Sequence, residues 1–231
     1  ELLVAGSLQL AAYDPKDGQK LWWFDGLSRL VDSTPLIVNG EIYFATWTPG
    51  GDADDRIRME PFAAALTTLD KNSDKEIGKE ELPEGNAILE RFFRIDLNQN
   101  QKLDQKEWEK HAMVFERAQN VAASLRPGSR GELPAENVNW TYQRSLPTVP
   151  SSVVYDGILY MVKDSGIITS LDASTGEMLK QGRAIGRGNY YASIVAGDGK
   201  VYLISEGGVV TILKAGRDWS VLGSYDFKER I

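Results

Sequence analysis

The chain has 231 residues, 42% of them hydrophobic and 26% charged, with a formal net charge of −7. That is globular composition with room for one large domain or two small ones, and the acidic balance argues against nucleic acid as a partner, because phosphate binding needs clustered Lys and Arg. The absence of cysteine excludes disulfides and thiolate chemistry, and no apolar run is long enough to span a membrane.

In chain order, "LAAYDPKDGQKLWWF" (10–24) reads as a strand ending at Asp14, a tight turn closed by Gly18, and a second strand. The Asp side chain can cap the turn and Gly can take positive φ. "STPLIVNGEIYFATW" (33–47) follows as a short apolar strand, an Asn-Gly turn and an alternating strand carrying Tyr43.

The texture then changes. Between Gly50 and Val138, 18 Asp and Glu face 13 Lys and Arg, so most of the excess negative charge lies in one central segment. Residues 50–120 therefore read as an insertion between flanks 1–49 and 121–231. Phe62, Ala65, Leu66 and Leu69 mark one face of a helix running up to Asp70, and Ile88, Phe92 and Ile95 repeat those offsets before Asp96.

Each helix leads into a loop of calcium-binding EF-hand spacing. Loop one, "DKNSDKEIGKEE", offers Asp70, Asn72 and Asp74, the Glu76 carbonyl, and Glu81 at the twelfth position. Loop two, "DLNQNQKLDQKE", offers Asp96, Asn98 and Asn100, the Lys102 carbonyl, Asp104 through water, and Glu107 at the twelfth. Calcium is a hard cation that takes six to eight oxygens, so alternating short oxygen-bearing side chains can wrap it while the distant Glu clamps it. Ile77 and Leu103 hold the eighth position and should pair across the two loops. Position 6 ordinarily holds Gly; here it is Lys75 and Gln101, which implies strain of about 1 kcal/mol per site. Pro83 requires a very short helix after loop one. Two calcium sites of modest affinity and structural role are expected.

Beyond the insertion the flank patterns return. "AASLRPGSRGE" (122–132) is a degraded copy of the Asp–turn–Gly unit, with Leu125 in the place of Tyr13 and Leu171, and Trp140 aligns with Trp23. "PSSVVYDGILYMVKD" (150–164) and "ASIVAGDGKVYLISE" (192–206) repeat the 33–47 pattern, making Tyr43, Tyr160 and Tyr202 equivalent. "ITSLDASTGEMLKQG" (168–182) repeats 10–24. Four strands per period of about 40 residues is the signature of a β-propeller blade.

"VVYDGILYMVKDSGIITSLDASTGEML" (153–179) resembles the PQQ-like repeat family, whose members include quinoprotein dehydrogenases and cofactor-free propellers such as the outer-membrane barrel-assembly lipoprotein. The resemblance implies a mainly β fold: a partial propeller of four-stranded blades, with strands A to D running outward and the helical insertion between strands B and C of the second blade. That blade should use residues 34–39, 41–47, 121–126 and 137–143; the third covers 151–182 and the fourth 192–226. The first lacks its A strand. About three and a half blades cannot close a ring of seven or eight, so the rest of the propeller is expected outside this chain.

Trp22, Trp23 and Trp140 are expected to pack between blades. In "GRAIGRGNYYAS" (182–193), Arg187, Asn189 and Tyr190 are the weak candidates for a cofactor site, on the face from which the insertion should rise. His111, the single histidine, reads as an exposed helical residue. No nucleophile–base pair can be assembled. The resulting expectation is a non-catalytic, calcium-binding scaffold in the periplasm or outside the cell. It would take a protein or small-molecule ligand on the propeller face, its export signal not being part of this chain. The alternative is a fragment of a PQQ-dependent dehydrogenase, although no quinone-stacking residue can be mapped.

Overall fold

The computed structural model describes residues 1–231 except Ala53, Asp55, Ile57 and Ser129, the last of which falls in the degraded repeat 122–132. The chain forms two compact units, Glu1–Thr48 with Gln119–Ile231, and Pro49–Ala118.

The first unit opens with β1 (Leu2–Gly6), β2 (Gln9–Tyr13), β3 (Lys20–Asp25), β4 (Leu36–Val38) and β5 (Glu41–Thr46). The second unit carries α1 (Phe62–Leu69), β6 (Ile77–Gly78), α2 (Ala87–Glu90), α3 (Phe92–Ile95), β7 (Lys102–Leu103) and α4 (Gln105–Arg117). The first unit resumes with β8 (Val121–Leu125), β9 (Gly131–Glu132), β10 (Val138–Tyr142), β11 (Val153–Tyr155), β12 (Ile158–Val162), β13 (Ile167–Asp172) and β14 (Met178–Arg183). It ends with β15 (Val195–Gly197), β16 (Lys200–Ile204), β17 (Val209–Lys214) and β18 (Ser220–Asp226).

These strands make four four-stranded sheets, ordered β1-β2-β3-β9, β10-β8-β5-β4, β11-β12-β13-β14 and β15-β16-β17-β18. Their registers superpose the repeats. Tyr43, Tyr160 and Tyr202 lie opposite Leu36, Val153 and Val195 respectively. The turns between the first two strands use Asn39-Gly40, Asp156-Gly157 and Asp198-Gly199, with φ positive at both residues of each pair. That is the geometry of the two-residue turns whose twist matches a right-handed hairpin. The Asp14 and Asp172 carboxylates accept the Lys16 and Ser174 N–H groups, as turn-capping aspartates do.

In all four sheets the last two antiparallel strands shift register by one residue at the same place, skipping Leu21, Asn139, Leu179 and Leu222. This bulge corrects one alignment: Trp140 pairs with Ser124 as Trp22 pairs with Ala12, so its counterpart is Trp22 and not Trp23. Trp23 is only partly buried, with the Lys20 ammonium 4.3 Å from its ring centre. Among the described residues the first sheet has no strand in the place that β4, β11 and β15 take in the others. Its fourth member is β9, added in parallel beside β3 from the β8–β10 connection.

Successive side chains of a strand face opposite ways, and both faces here are apolar. Ile42 and Phe44 join Leu10, Trp22 and Leu125 in one cluster, while Tyr43 and Ala45 join Trp140, Leu159 and Met161 in the next. Ile158, Tyr160 and Val162 turn the other way, toward Val201, Leu203 and Trp219. Each seam therefore draws on two adjacent sheets, at about 1.5–3 kcal/mol per fully buried large apolar side chain.

Polar contacts pin the seams. Trp140 donates its indole N–H to the Ala173 carbonyl at 2.8 Å, and Gly176, at φ 73°, lies where a Cβ would meet that indole at 2.6 Å. Gly216 N–H donates to the Tyr160 hydroxyl at 2.9 Å. Asp172 accepts the Ser174 hydroxyl at 2.6 Å and pairs with Arg217 at 2.7 Å. Those contacts, the Ser174 hydroxyl foremost, hold its carboxyl down at about 2.

The central segment leaves the second sheet between β5 and β8. These strands pair directly, Thr46 opposite Val121. Just beyond that pair Asn120 closes the neck: it accepts the Thr48 N–H at 2.8 Å and donates to the Thr48 carbonyl at 3.0 Å, both residues being buried. The sheet thus stays continuous across the long excursion.

Asn120→Ala should lower the unfolding free energy by about 1–3 kcal/mol, the cost of stranding two buried backbone groups, as read by denaturant titration. The Asp172 carboxyl lies below its ordinary value of 3.8 in the folded chain, so its contribution is complete above that pH and fades as the pH falls toward 2. Asp172→Asn should melt below the parent at about pH 6, and the two curves should converge between about pH 4 and pH 2.

Candidate metal centre

α1 ends where Asp70 N–H donates to the Leu66 carbonyl, and α3 ends where Asp96 N–H donates to the Phe92 carbonyl. The periodicity before loop two predicts one continuous helix. The chain instead breaks at Arg91, whose φ of −111° and ψ of 6° separate α2 from α3. Ile88, Phe92 and Ile95 are buried all the same, around Trp108, Leu103 and Ile77. Loop one closes in a single 3-10 turn, Lys79–Glu81, shortly before Pro83; loop two runs into the thirteen-residue α4.

The two loops fold by the same hydrogen bonds. In loop one Asn72 Oδ1 accepts from Asp74 N at 2.8 Å, and Asp74 Oδ1 accepts from Glu76 N at 3.0 Å. In loop two Asn98 accepts from Asn100 N at 3.0 Å, and Asn100 from Lys102 N at 2.9 Å. Short polar side chains that reach the N–H two residues on hold such turns without a regular strand or helix. Asp70 accepts from Ser73 and Lys75 N–H, and Asp96 accepts from Asn100 and Gln101 N–H. Lys75 and Gln101 take φ of 69° and 66°, the strained position anticipated from the missing glycines.

The twelfth-position glutamates tie each loop to its own start. Glu81 accepts from Lys71 and Asn72 N–H with one oxygen and from Gly78 N–H with the other. Glu107 accepts from Leu97, Asn98 and Asp104 N–H in the same pattern. Asp104 caps α4 through Glu107 N–H at 2.8 Å. Ile77 and Leu103, both fully buried, form the antiparallel bridge between the loops.

Glu81, Asp96 and Glu107 are only 4%, 4% and 5% exposed. Among the described residues no Lys or Arg pairs with any of them, nor with Asp70 or Asp104. Buried carboxylates without a cation are expensive to keep ionised. Lys102 does pair with loop acids: its Nζ lies 2.5 Å from Asp74 and 3.4 Å from Glu76. It holds the Asp74 carboxyl below its usual range, and Asp74 in turn raises the Lys102 ammonium. The sequence reading missed this side chain, having used Lys102 for its carbonyl alone. The signal was its place opposite Gly78 in the bridge. Among the described residues no three Asp, Glu or His side chains gather closely enough to hold an ion on carboxylates alone. The donor set is entirely of hard oxygen, with amides and backbone carbonyls completing it, and that chemistry fits calcium.

The weak cofactor candidates do not converge. Tyr190 is fully buried and donates to the Gly186 carbonyl at 3.0 Å, so its ring belongs to the core. Asn189 donates to the Tyr191 hydroxyl at 2.9 Å. Arg187 is exposed and lines an open hollow of about 430 Å³ with Glu206, Lys228, Glu229 and Arg230. His111, expected to be exposed, is half-buried and stacks edge-on against Phe115 at 4.6 Å.

No curated protein matches the chain significantly. Among solved structures, BamB from Moraxella catarrhalis is similar at 11% identity and a TM-score of 0.50, over 96% of this chain and 44% of that one. A quinohemoprotein alcohol dehydrogenase, ADHIIG from Pseudomonas putida HK5, aligns at 14% identity and a TM-score of 0.42, over 84% of this chain and 20% of its own. The chain thus spans less than half the length of either. The family described as outer membrane protein assembly factor BamB matches residues 1–222, and with four repeated sheets spread over that span, the chain belongs to this family of PQQ-like repeat proteins.

Proposed function

We infer that this chain is a non-catalytic, calcium-binding scaffold that presents a protein-docking surface outside the cytoplasm. The observation that carries the calcium part is the set of buried carboxylates, Glu81, Asp96 and Glu107, held in two loops of matching hydrogen bonds with no pairing cation among the described residues. Asp70, Asn72, Asp74, the Glu76 carbonyl and Glu81 would hold one ion. Asp96, Asn98, Asn100, the Lys102 carbonyl, Asp104 and Glu107 would hold the second. Bound calcium supplies the positive charge that these acids lack. The residues themselves fix the loop ends: each glutamate draws the start of its loop onto its exit turn, and the Ile77–Leu103 bridge joins one loop to the other.

Docking of a protein partner is supported by the family's description as an assembly factor. A location outside the cytoplasm follows the same line. The quinoprotein alternative needs a cofactor cradle, and Arg187, Asn189 and Tyr190 do not form one here. Addition of PQQ with calcium to the chain should leave its absorption spectrum that of free quinone; a bound-quinone spectrum would restore the enzyme reading.

Isothermal titration should show two calcium ions per chain, falling to one in Asp70→Ala or Glu107→Ala and to none in the double variant. A flat titration at millimolar calcium sinks the assignment. Calcium at about 100 times its dissociation constant should stabilise the inserted unit by about 2.7 kcal/mol per site, read as a chelator-reversible rise in its melting temperature.

A further inference from the structure

The two loops are alike in backbone but not in charge. The bridge sets Lys102 opposite Gly78, so a side chain that starts in loop two reaches across to loop one. Its ammonium lies 2.5 Å from Asp74 Oδ2 and 3.4 Å from Glu76 Oε2. Glu76 and Lys102 hold the same place in their respective loops, the seventh, so an acid in one meets a base from the other. Loop two receives no such visitor: among the described residues Asp96, Asp104 and Glu107 have no ion pair.

The choice of oxygen matters. Asp74 Oδ1 already accepts the Glu76 N–H at 3.0 Å. Oδ2 is the oxygen left for an ion, and Oδ2 is the atom that the ammonium holds. We propose that Lys102 is an internal competitor for loop one, lowering that loop's affinity for a divalent cation, most strongly at low ionic strength. The inference rests on the calcium reading above and adds the residue that sets the difference between the sites. An ammonium that must vacate Asp74 before the ion enters, and that remains beside the bound ion afterwards, opposes binding twice. The cost is that of an ion pair whose side chains are 38% and 30% exposed, plus like-charge repulsion, and both are weakened by screening.

The test is calcium titration of the full chain with loop two disabled by Glu107→Gln, or loop one by Glu81→Gln. With loop two disabled, Lys102→Met should tighten binding about fivefold at low ionic strength, shrinking below about twofold near 1 M salt. Lys102→Arg, which keeps the charge, should gain far less. The gain from Lys102→Met should be at least about threefold larger with loop two disabled than with loop one disabled. A gain under about twofold at low salt, equal gains in both backgrounds, or an Arg variant as tight as the Met variant would each overturn the proposal while leaving calcium binding intact. No uptake by the parent chain would remove both. Should Lys102→Met lose its far-ultraviolet circular dichroism, Lys102→Gln is read by the same criteria.

Discussion

The two central four-stranded sheets are apolar on both faces, and the rest of the structure depends on that. A sheet with one wet face can stand on a single core; these cannot, because alternate residues of one strand, such as Phe44 and Ala45, are buried in different clusters. Each of these two blades packs between neighbours, in the nearest-neighbour manner of repeat proteins. The polar seam contacts are consistent with this. Trp140 to Ala173, Gly216 to Tyr160 and Arg217 to Asp172 each run from one sheet to the next. They fix the orientation of apolar surfaces that by themselves have no directional preference.

The same constraint decides where a foreign unit can enter. An insertion within a strand would break two seams at once. One placed between β5 and β8 leaves both strands paired, with Thr46 still opposite Val121, and needs only a neck. Asn120 supplies it by satisfying both backbone groups of Thr48. The inserted residues then build a separate core around Trp108, which includes Ile77 and Leu103 from the two loops.

Fold and function rest on different observations here. Family membership explains the sheets, and function has to be argued from sites. The second unit carries the candidate site. Its loops spend short polar side chains on their own backbone, which shapes each turn and leaves acids buried, hydrogen-bonded to backbone N–H groups but with no paired cation among the described residues. That arrangement is costly unless a cation completes it. Lys102 pairs with Asp74 and Glu76 of loop one, outside that buried set, so two loops that look alike as motifs differ as electrostatic environments.

Sequence alone determined what is encoded within about a dozen residues. The paired positive-φ turns, the Asp–Gly turns and the equivalence of Tyr43, Tyr160 and Tyr202 follow from local turn chemistry and alternation, and the pairing of Ile77 with Leu103 from their matching place in two loops of the same spacing. Tertiary structure alone decided what depends on partners far along the chain. β9 completes the first sheet because β3 has an open edge there, although its two residues carry no strand pattern. The recurrent bulge moves Trp140 into register with Trp22, a shift visible only once strands pair. The break at Arg91 leaves apolar residues buried, so periodicity could not reveal it. Tyr190 sits in a candidate loop but turns into the core, and the Lys102 ammonium crosses to Asp74. In each case the deciding energy is a contact between segments that spacing along one segment cannot specify.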